Sequence, residues 1–372
     1  MGKYTEFLYL NEEEVIKAGA LDYAKCINVE EEVFKLLSTG DYRMGGDSAN
    51  SHGISMKFPK ESPFPNMPVD GPDRRFMAMP AYVGGRFNVA GQKWYGSNII
   101  NPSRGLPRSI LMVILNDVDT CEPLALMSGN VISSVRTGCV PAVATRYLAR
   151  KNAKTITCIG AGPIGKACFE GIILEAKNAS ELVVCDLFLE KAQAFADEMA
   201  KKYSIKATAS TNLEESVKQG DIVSVAASSV KPITLSNDWL KEGSLLLFSG
   251  RCNVDEEYFS SAKIMWDNVK MHQTYFAEHL LLPENERFTA GIGVQIYRMM
   301  YEKKIPDLSQ STGLGDVILG EKKGRKNDKE KICFIAGGMP VWDVAWSFDL
   351  YNNAKKLGLG TKLKLWDSPF LS

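Results

Sequence analysis

The sequence lacks the features that mark exported, membrane-spanning and nucleic-acid-binding proteins. Its 44 lysines and arginines are balanced by 44 aspartates and glutamates, so neither a nucleic acid nor a membrane surface is an expected partner. No stretch approaches the roughly 20 uninterrupted apolar residues needed to cross a bilayer. The opening MGKYTEFLYLNEEE turns acidic after one short apolar run, unlike a secretory signal. These absences favour a protein that acts on small molecules and is not exported.

Disulfide and metal patterns are also missing. The eight cysteines are scattered without a CxxC pair, and several lie inside apolar runs, where a thiol packs as a small hydrophobe. The three histidines, His52, His272 and His279, share no spacing typical of metal ligands. We therefore predict a reduced, cytoplasmic protein without a metal site.

The chain of 372 residues exceeds the usual single domain, so we expect two domains. Residues 11–37 carry two helical patterns, and five prolines between Pro59 and Pro72 predict a long loop, a candidate lid. Runs rich in β-formers from residue 75 to about residue 125 predict an antiparallel or mixed sheet. From Lys154 onward, strand and helix patterns alternate, which is typical of a parallel, doubly wound sheet. The strand ICFIAGG and the final helix are expected to return to the first domain.

A glycine-rich turn carries the strongest local signal. It reads Gly160, Ala161, Gly162, Pro163, Ile164 and Gly165, directly after a β-run and at the start of a helix. Gly160 permits the tight turn, Gly162 lets the backbone approach a pyrophosphate, and Gly165 allows the helix to pack closely on the strand. Asp186 ends the next β-run, where its carboxylate would bind ribose hydroxyls and repel a 2′-phosphate. The turn therefore predicts a dinucleotide site that prefers NAD to NADP.

Several motifs before and after this turn resemble one family. They are MPAY, the lysine of GQKW, GLP, LNDVDT, SxxRTG and the tail IAGGMPVWDVAWSFDLYNNA, which together cover roughly residues 75–355. In combination they resemble the ornithine cyclodeaminase/mu-crystallin family. Its members include cyclodeaminases, alanine dehydrogenases, ketimine reductases, amino-acid-condensing dehydrogenases and a hormone-binding crystallin.

The resemblance implies an α/β protein and a homodimer. A Rossmann domain with a doubly wound parallel sheet, expected at residues 141–324, would hold NAD(P). A discontinuous α+β domain, expected at residues 1–140 and 325–372, would supply the substrate site and the dimer contact.

The resemblance also assigns roles to individual residues. Lys93 corresponds to the lysine that faces the substrate carboxylate and the reacting amine, and Arg43 lies roughly where the family places another carboxylate-binding arginine. Arg136 and Thr137 form the RT motif, in which the planar guanidinium suits phosphate or carboxylate. Gly338 in the tail is a further cofactor contact. Without the resemblance, Lys93 and Arg136 would be interpreted as surface residues.

One position departs from the family pattern. After LLLFSG, cyclodeaminases and the related alanine dehydrogenases carry a Gly-x-Asp whose aspartate is the acid/base beside the substrate amine. Here the aligned position holds Arg251, or Asn253 if the loop is two residues shorter. Asp255 is the nearest acid, and it either takes over this role or caps the helix that begins at EEYF. An arginine would repel the second ammonium of a diamino acid, so cyclisation is disfavoured.

The leading prediction is an NAD-dependent oxidoreductase that acts on the C–N bond of an amino acid, amine or imino acid. Lys93, Arg136 and Arg251 would make the pocket cationic, which favours a carboxylate-bearing, amino-acid-like substrate. Such substrates include amino acids, cyclic imino acids and the secondary amines formed from an amino acid and a 2-oxo acid. The alternatives are a cyclodeaminase-type lyase that releases ammonia and a non-enzymatic small-molecule binding protein.

Overall fold

The computed structural model describes residues 3–227, 232–289 and 291–371. The chain divides into two compact units. Unit 1 comprises Met1–Asp22, Gly40–Ser133 and Met339–Ser372, and unit 2 comprises Tyr23–Thr39 and Ser134–Gly338. Within the described ranges, no helix is both long and apolar enough to span a bilayer.

The secondary structure alternates between the two units along the chain. The strands are β1 (Thr5–Leu10), β2 (Tyr42–Met44), β3 (Ile54–Lys57), β4 (Arg75–Val83), β5 (Val89–Ser97), β6 (Ser109–Asp117), β7 (Pro123–Ser128), β8 (Thr155–Ile159), β9 (Glu181–Cys185), β10 (Lys206–Ser210), β11 (Ile222–Val225), β12 (Ile233–Leu235), β13 (Leu245–Phe248), β14 (Cys252–Val254), β15 (Lys263–Trp266), β16 (Thr312–Gly313), β17 (Ile332–Ile335) and β18 (Thr361–Trp366). The helices are α1 (Glu12–Lys17), α2 (Tyr23–Thr39), α3 (Asn130–Leu148), α4 (Pro163–Glu175), α5 (Leu189–Tyr203), α6 (Leu213–Gln219), α7 (Glu256–Ser261), α8 (Val269–Leu280), α9 (Val294–Tyr301), α10 (Leu314–Ile318) and α11 (Pro340–Leu357).

Unit 1 is built on a mixed sheet in the order β18-β1-β7-β6-β5-β4-β2, with β3 paired to β4. The central strands β4, β5 and β6 are antiparallel, and their pairing places Lys93 between Met79 and Val113. Gly91 and Lys93 are two residues apart on β5 and lie on the same face of the sheet. Helix α11 covers that face, since a Cβ on Gly91 would lie 3.1 Å from Val344 Cγ2. The proline-rich stretch is the predicted loop, between β3 and β4.

Unit 2 contains a parallel sheet in the order β10-β9-β8-β11-β13-β17-β15-β16. Strands such as β8 and β13 are buried along their whole length, as expected when helices cover both faces of a parallel sheet. Ile159, Val225, Phe248, Ile335 and Trp266 lie in one row of this sheet. The loops that follow them therefore share the carboxyl edge of the sheet. The parallel sheet with its helices confirms the predicted α/β fold class.

The observed units differ from the predicted boundaries in three places. Residues 134–140, predicted at the end of the first domain's first segment, belong to unit 2. Helix α2, predicted as part of the first domain, belongs to unit 2, where Gly315 of α10 approaches it so closely that a Cβ would lie 2.3 Å from the Phe34 carbonyl oxygen. Strand β17 was expected to return to the first domain, but it is a buried strand between β13 and β15. Its four consecutive buried residues suit a central parallel strand. Helix α11 belongs to unit 1.

Candidate active site

The glycine turn connects β8 to α4 and is tightly packed at both ends. Gly160 has φ +103°, and a Cβ there would lie 2.9 Å from the Ala227 backbone. A Cβ on Gly165 would lie 2.0 Å from the Gly160 carbonyl oxygen. At Gly162, by contrast, a Cβ would meet nothing within 4 Å. The turn is therefore open at the residue that precedes the helix.

This open position coincides with the start of helix α4. Gly162 is the N-cap residue, it supplies no side-chain cap, and Pro163 follows it in the first turn. Amide groups at an uncapped helix N-terminus attract negative charge, and the absence of a side chain lets a phosphate approach the backbone. The turn and the helix start thus fit the pyrophosphate of a dinucleotide.

Asp186 is fixed against the glycine turn. Its Oδ2 accepts a hydrogen bond from the Ala161 amide at 2.8 Å, and its Oδ1 accepts one from the Phe188 amide at 3.0 Å. The carboxylate is half-buried directly after β9. A ribose bearing free hydroxyls can donate to such a carboxylate, whereas a 2′-phosphate would be repelled by it.

Arg136 and Thr137 lie on helix α3, in unit 2. Arg136 is only 6% exposed, so it is not a helix-surface arginine. The neighbouring Gly138 allows α3 to contact α4, because a Cβ there would lie 2.1 Å from the Ala167 carbonyl oxygen. The RTG motif therefore combines a buried cation with the close approach of two helices.

Lys93 is buried in unit 1 and is not a surface lysine. Its Nζ lies 2.9 Å from Asp343 Oδ2 and 3.4 Å from Ser133 Oγ. The exposed fractions of the Lys93 and Asp343 side chains are 4% and 0%. Burying two opposite charges together in this way avoids the cost of an isolated buried charge.

Asp343 lies outside the residues predicted for the site. It lies in the first turn of α11, where the helix dipole favours a carboxylate. Trp342 and Trp346 on the same helix are fully buried. The sequence does contain a signal for this residue, because an aspartate within an apolar helical stretch is expected to be buried. A buried carboxylate normally has a charged partner.

Arg43 is not brought to Lys93. It lies on β2 opposite Tyr82, which in turn pairs with Ala90 on β5. Side chains alternate between the two faces along a strand, so Ala90 and Lys93, three residues apart, point to opposite faces. Arg43 therefore lies on the face of the sheet opposite Lys93, where it is exposed and donates to the carbonyl oxygens of Gly40 and Tyr42.

The three residues considered for the family's acid/base position, Arg251, Asn253 and Asp255, lie at different places in unit 2. Arg251 follows β13 at the carboxyl edge, Asn253 is in the middle of β14, and Asp255 comes after β14. The strand β14 lies between Arg251 and Asp255, and four steps at 3.3 Å per residue separate the two residues by about 13 Å.

Asp255 stands at the N-cap position of α7 but does not cap it with its side chain. Its Oδ2 accepts hydrogen bonds from Ser236 Oγ at 2.7 Å and from the Asn237 amide at 2.9 Å. These bonds hold the pKa of the exposed Asp255 carboxyl below its usual value. The carboxyl therefore stays ionised at neutral pH and fastens a turn.

Gly338 follows β17 and has φ +74°, a conformation that favours glycine. The amide of the preceding Gly337 donates to Asp267 Oδ2 at 2.7 Å. Because β17 and β8 are strands of the same parallel sheet, this loop and the glycine turn lie at the same edge.

Comparisons with known proteins agree with these features. Residues 21–358 match the family described as "Ornithine cyclodeaminase/mu-crystallin family". The N-((2S)-2-amino-2-carboxyethyl)-L-glutamate dehydrogenase of Staphylococcus aureus is 30% identical over 295 residues, covering 78% of this chain and 82% of that protein. An archaeal alanine dehydrogenase dimer with bound NAD has a TM-score of 0.77 at 26% identity, covering 97% of this chain and 100% of that one. The Thermococcus litoralis Delta(1)-pyrroline-2-carboxylate reductase, in complex with NADH and L-proline, has a TM-score of 0.77 at 25% identity, covering 95% of this chain and 99% of that one.

Proposed function

Because the chain belongs to the ornithine cyclodeaminase/mu-crystallin family, we propose that it is an NAD-dependent oxidoreductase acting on a carbon–nitrogen bond of an amino acid, amine or imino acid. The observation that carries this proposal is the buried Lys93–Asp343 ion pair, at 2.9 Å between Nζ and Oδ2. A buried ammonium is suited to exchange a proton with a substrate nitrogen. The three relatives described above are, by name, a dehydrogenase or a reductase of amino-acid-like compounds.

The residues present fit NAD. The open Gly162 and the start of α4 suit its pyrophosphate, and Asp186 suits the adenosine ribose. Further contacts are assigned to Arg136, Thr137 and Gly338, and to the other residues of the glycine turn: Gly160, Ala161, Pro163, Ile164 and Gly165. When bound, NAD supplies the redox chemistry, because its nicotinamide ring exchanges a hydride with the carbon that bears the nitrogen.

Lys93 and Asp343 supply the proton chemistry in this proposal. The Asp343 carboxylate favours the protonated form of Lys93, which can pair with a substrate carboxylate and give a proton to an imine nitrogen. In the oxidative direction Lys93 takes that proton back. The guanidinium groups of Arg136 and Arg251, both in unit 2, are each suited to bind a carboxylate or phosphate group.

The cyclodeaminase reaction is the less favoured alternative. The sequence from Ser249 to Asn253 contains no carboxylate, and Asp255 is engaged by Ser236 and Asn237 about one strand length away. A diamino acid would bring a second ammonium near Arg251, and like charges in a low-dielectric site repel each other. An oxidoreductase needs only one nitrogen to be protonated and deprotonated.

We also propose that two copies associate through the exposed face of the unit 1 sheet, opposite α11. Cross-strand partners share a face, and the pairings align Ile54 with Met112 and Met56 with Ile110 across the intervening strands. Each of these four side chains is at least 43% exposed. A contiguous apolar surface of this kind favours a protein partner, and the archaeal relative is described as a dimer.

A cytoplasmic location is the proposal that fits the cysteines. All eight are free thiols, and seven of them are buried. Burial raises the pKa of the Cys252 thiol, so it stays protonated and packs as a small hydrophobe. Buried thiols of this kind suit a reducing compartment.

The function is tested by following NADH absorbance and ammonia release with a panel of amino acids, cyclic imino acids and mixtures of amino acids with 2-oxo acids. Net appearance or loss of NADH with one substrate is the expected result. Ammonia release without a net change of NADH would identify a lyase instead. Binding of NADH without turnover of any substrate in the panel would favour the small-molecule binding protein.

A further inference from the structure

Three buried polar side chains form a hydrogen-bonded chain behind the carboxyl edge of the unit 2 sheet. Asp267 directly follows β15, His272 lies on α8, and Tyr297 lies on α9. His272 Nε2 is 2.8 Å from Asp267 Oδ1, and His272 Nδ1 is 2.5 Å from the Tyr297 hydroxyl. All three residues are at most 2% exposed. A buried polar chain of this kind is costly unless every member is satisfied.

The direction of the hydrogen bonds follows from the chemistry of the three groups. Burial raises the pKa of the Tyr297 hydroxyl, so it stays protonated. The Asp267 carboxylate accepts two backbone amides and also accepts from the imidazole, so His272 Nε2 is the donor. In a neutral imidazole the other ring nitrogen, Nδ1, is an acceptor, and the Tyr297 hydroxyl donates to it. The indole of Trp266, with its ring centre 4.4 Å from that of His272, packs against the imidazole. The chain therefore ends on a carboxylate whose orientation it determines.

That carboxylate holds the loop after β17. Asp267 Oδ1 also accepts the Asn268 amide at 2.7 Å, and Oδ2 accepts the Gly337 amide at 2.7 Å. Gly337 packs on the same helix that carries His272, since a Cβ there would lie 2.3 Å from Met271 Cε and 3.3 Å from His272 Cε1. The position of the Gly337–Gly338 loop is thus determined by the three buried side chains.

The location of this loop connects it to the dinucleotide site. Ile335 is in register with Ile159 through Val225 and Phe248, so the loop and the glycine turn occupy one edge, three strand spacings apart. At about 4.8 Å per spacing, this separation is roughly 14 Å. In doubly wound sheets the adenosine half of a dinucleotide lies over the half of the sheet that carries the glycine turn, and the nicotinamide half lies over the other half. The loop belongs to that second half.

We propose that Asp267, His272 and Tyr297 are positioning residues. They hold the Gly337–Gly338 loop in the position in which it binds the nicotinamide half of NAD. They act through the Gly337 amide and do not touch the cofactor. The inference rests on the proposed function for the identity of the cofactor, but it concerns binding and is independent of the substrate.

The test compares NADH with ADP-ribose, which shares its adenosine half and both phosphates but lacks the nicotinamide. Tyr297→Phe removes the hydroxyl while keeping the ring in place. We expect this variant to bind NADH about tenfold more weakly than the wild type and to bind ADP-ribose within about twofold of it. Calorimetric titrations with the two ligands measure the ratio, and a thermal melt of the full chain shows that the variant is folded.

Tyr258→Phe is the matched control. Tyr258 is a fully buried tyrosine of the same apolar core, and its hydroxyl has no hydrogen-bond partner among the described residues. We expect it to leave both affinities unchanged. A general loss of stability would instead weaken NADH and ADP-ribose together, and that result, or equal affinities in the wild type and Tyr297→Phe, would overturn the inference.

A measurement on the wild type keeps the inference testable if Tyr297→Phe does not fold. Hydrogen exchange in the peptide that spans residues 332–342 should slow on adding NADH and should not slow on adding ADP-ribose. The same protection with both ligands, or with neither, would contradict the binding of the nicotinamide half at this loop. A wild type that does not bind NADH would overturn both this inference and the proposed function, whereas NADH binding without substrate turnover would contradict only the proposed function.

Discussion

A lysine buried among strands needs a compensating charge, and Asp343 supplies it to Lys93 at 2.9 Å. If Lys93 exchanges the proton at the substrate nitrogen, Lys93→Ala should lower turnover about a hundredfold or more. The affinity for NADH should stay nearly unchanged. Lys93→Arg should not restore activity, because a guanidinium remains protonated. Steady-state kinetics with the substrate identified in the panel, together with NADH titration, measure both effects.

The matched control for Lys93 is Lys151→Ala, which removes an exposed lysine from a turn. Its turnover should equal that of the wild type. Wild-type activity in Lys93→Ala would remove the catalytic role of the ion pair. The small-molecule binding protein would then be the better interpretation.

Asp186 determines the choice between the two nicotinamide cofactors. Because its carboxylate is anchored by the Ala161 amide at 2.8 Å, it cannot easily turn away from a 2′-phosphate. We expect NAD to bind at least about tenfold more tightly than NADP, a difference near 1.4 kcal/mol. Asp186→Ser should narrow this gap, whereas Glu190→Ser, at an exposed acid in the first turn of α5, should preserve it. Coincident titration curves of the wild type for the two cofactors would contradict the assignment.

At the scale of secondary-structure elements, the variant Asp255→Asn tests whether Asp255, at the start of α7, has a catalytic or a structural role. Its carboxylate connects the end of β14 to Ser236 and Asn237, so Asp255→Asn should retain full turnover and lose some thermal stability at pH 7. A hundredfold loss of turnover would instead make Asp255 the displaced acid/base. Asp119→Asn, at an exposed aspartate between β6 and β7, is the control for a change of charge alone.

The stability effect of Asp255 has a definite pH dependence. Its pKa is lower in the folded protein than in the unfolded chain, so its stabilisation is complete above the unfolded value of about 3.9 and is lost as the pH falls through the folded value. The difference in melting temperature between the wild type and Asp255→Asn should therefore be smaller at pH 3, below the unfolded value, than at pH 7. Thermal melts at the two pH values measure it.

Elements with local sequence signals were predictable, and elements whose position depends on distant partners were not. The glycine turn and the parallel strands from β8 onward follow from glycine spacing and from strand–helix alternation, which are local patterns. The unit to which α2 belongs depends on the contact of Phe34 with Gly315, 281 residues away. Helical periodicity indicates which face of α2 is apolar but does not identify what covers it.

The residues of the candidate site likewise divide into those that lie in local motifs and those whose contacts depend on distant parts of the chain. Lys93, Asp186 and the glycine turn lie within recognisable motifs, whereas the partnership of Lys93 with Asp343 joins positions 250 residues apart. The face on which Arg43 lies depends on its register with Tyr82, because a shift of one residue would move the arginine to the face of Lys93. Neither fact can be obtained from spacing along the chain.

At the scale of the whole molecule, the exposed face of the unit 1 sheet raises the question of what covers it. Phe76 stacks on Trp94 with ring centres 5.8 Å apart, and Ile110 and Met112 continue the apolar surface onto β6. Soluble monomers rarely leave such a surface open, and a twofold dimer would bury the same patch on both copies. We therefore expect sedimentation of the wild type to give a dimer or a larger assembly.

Replacing Ile110 and Met112 together by lysine separates this explanation from a general effect of added charge. Two copies meeting through this face would bring four ammonium groups into one apolar contact, where desolvation and mutual repulsion oppose association. The double variant should therefore sediment as a folded monomer. Leu357→Lys, at the exposed end of α11, adds charge elsewhere on unit 1 and should leave the assembly intact. A wild type that is a clean monomer at micromolar concentration would contradict the dimer, and a double variant that still assembles would show that association uses another surface.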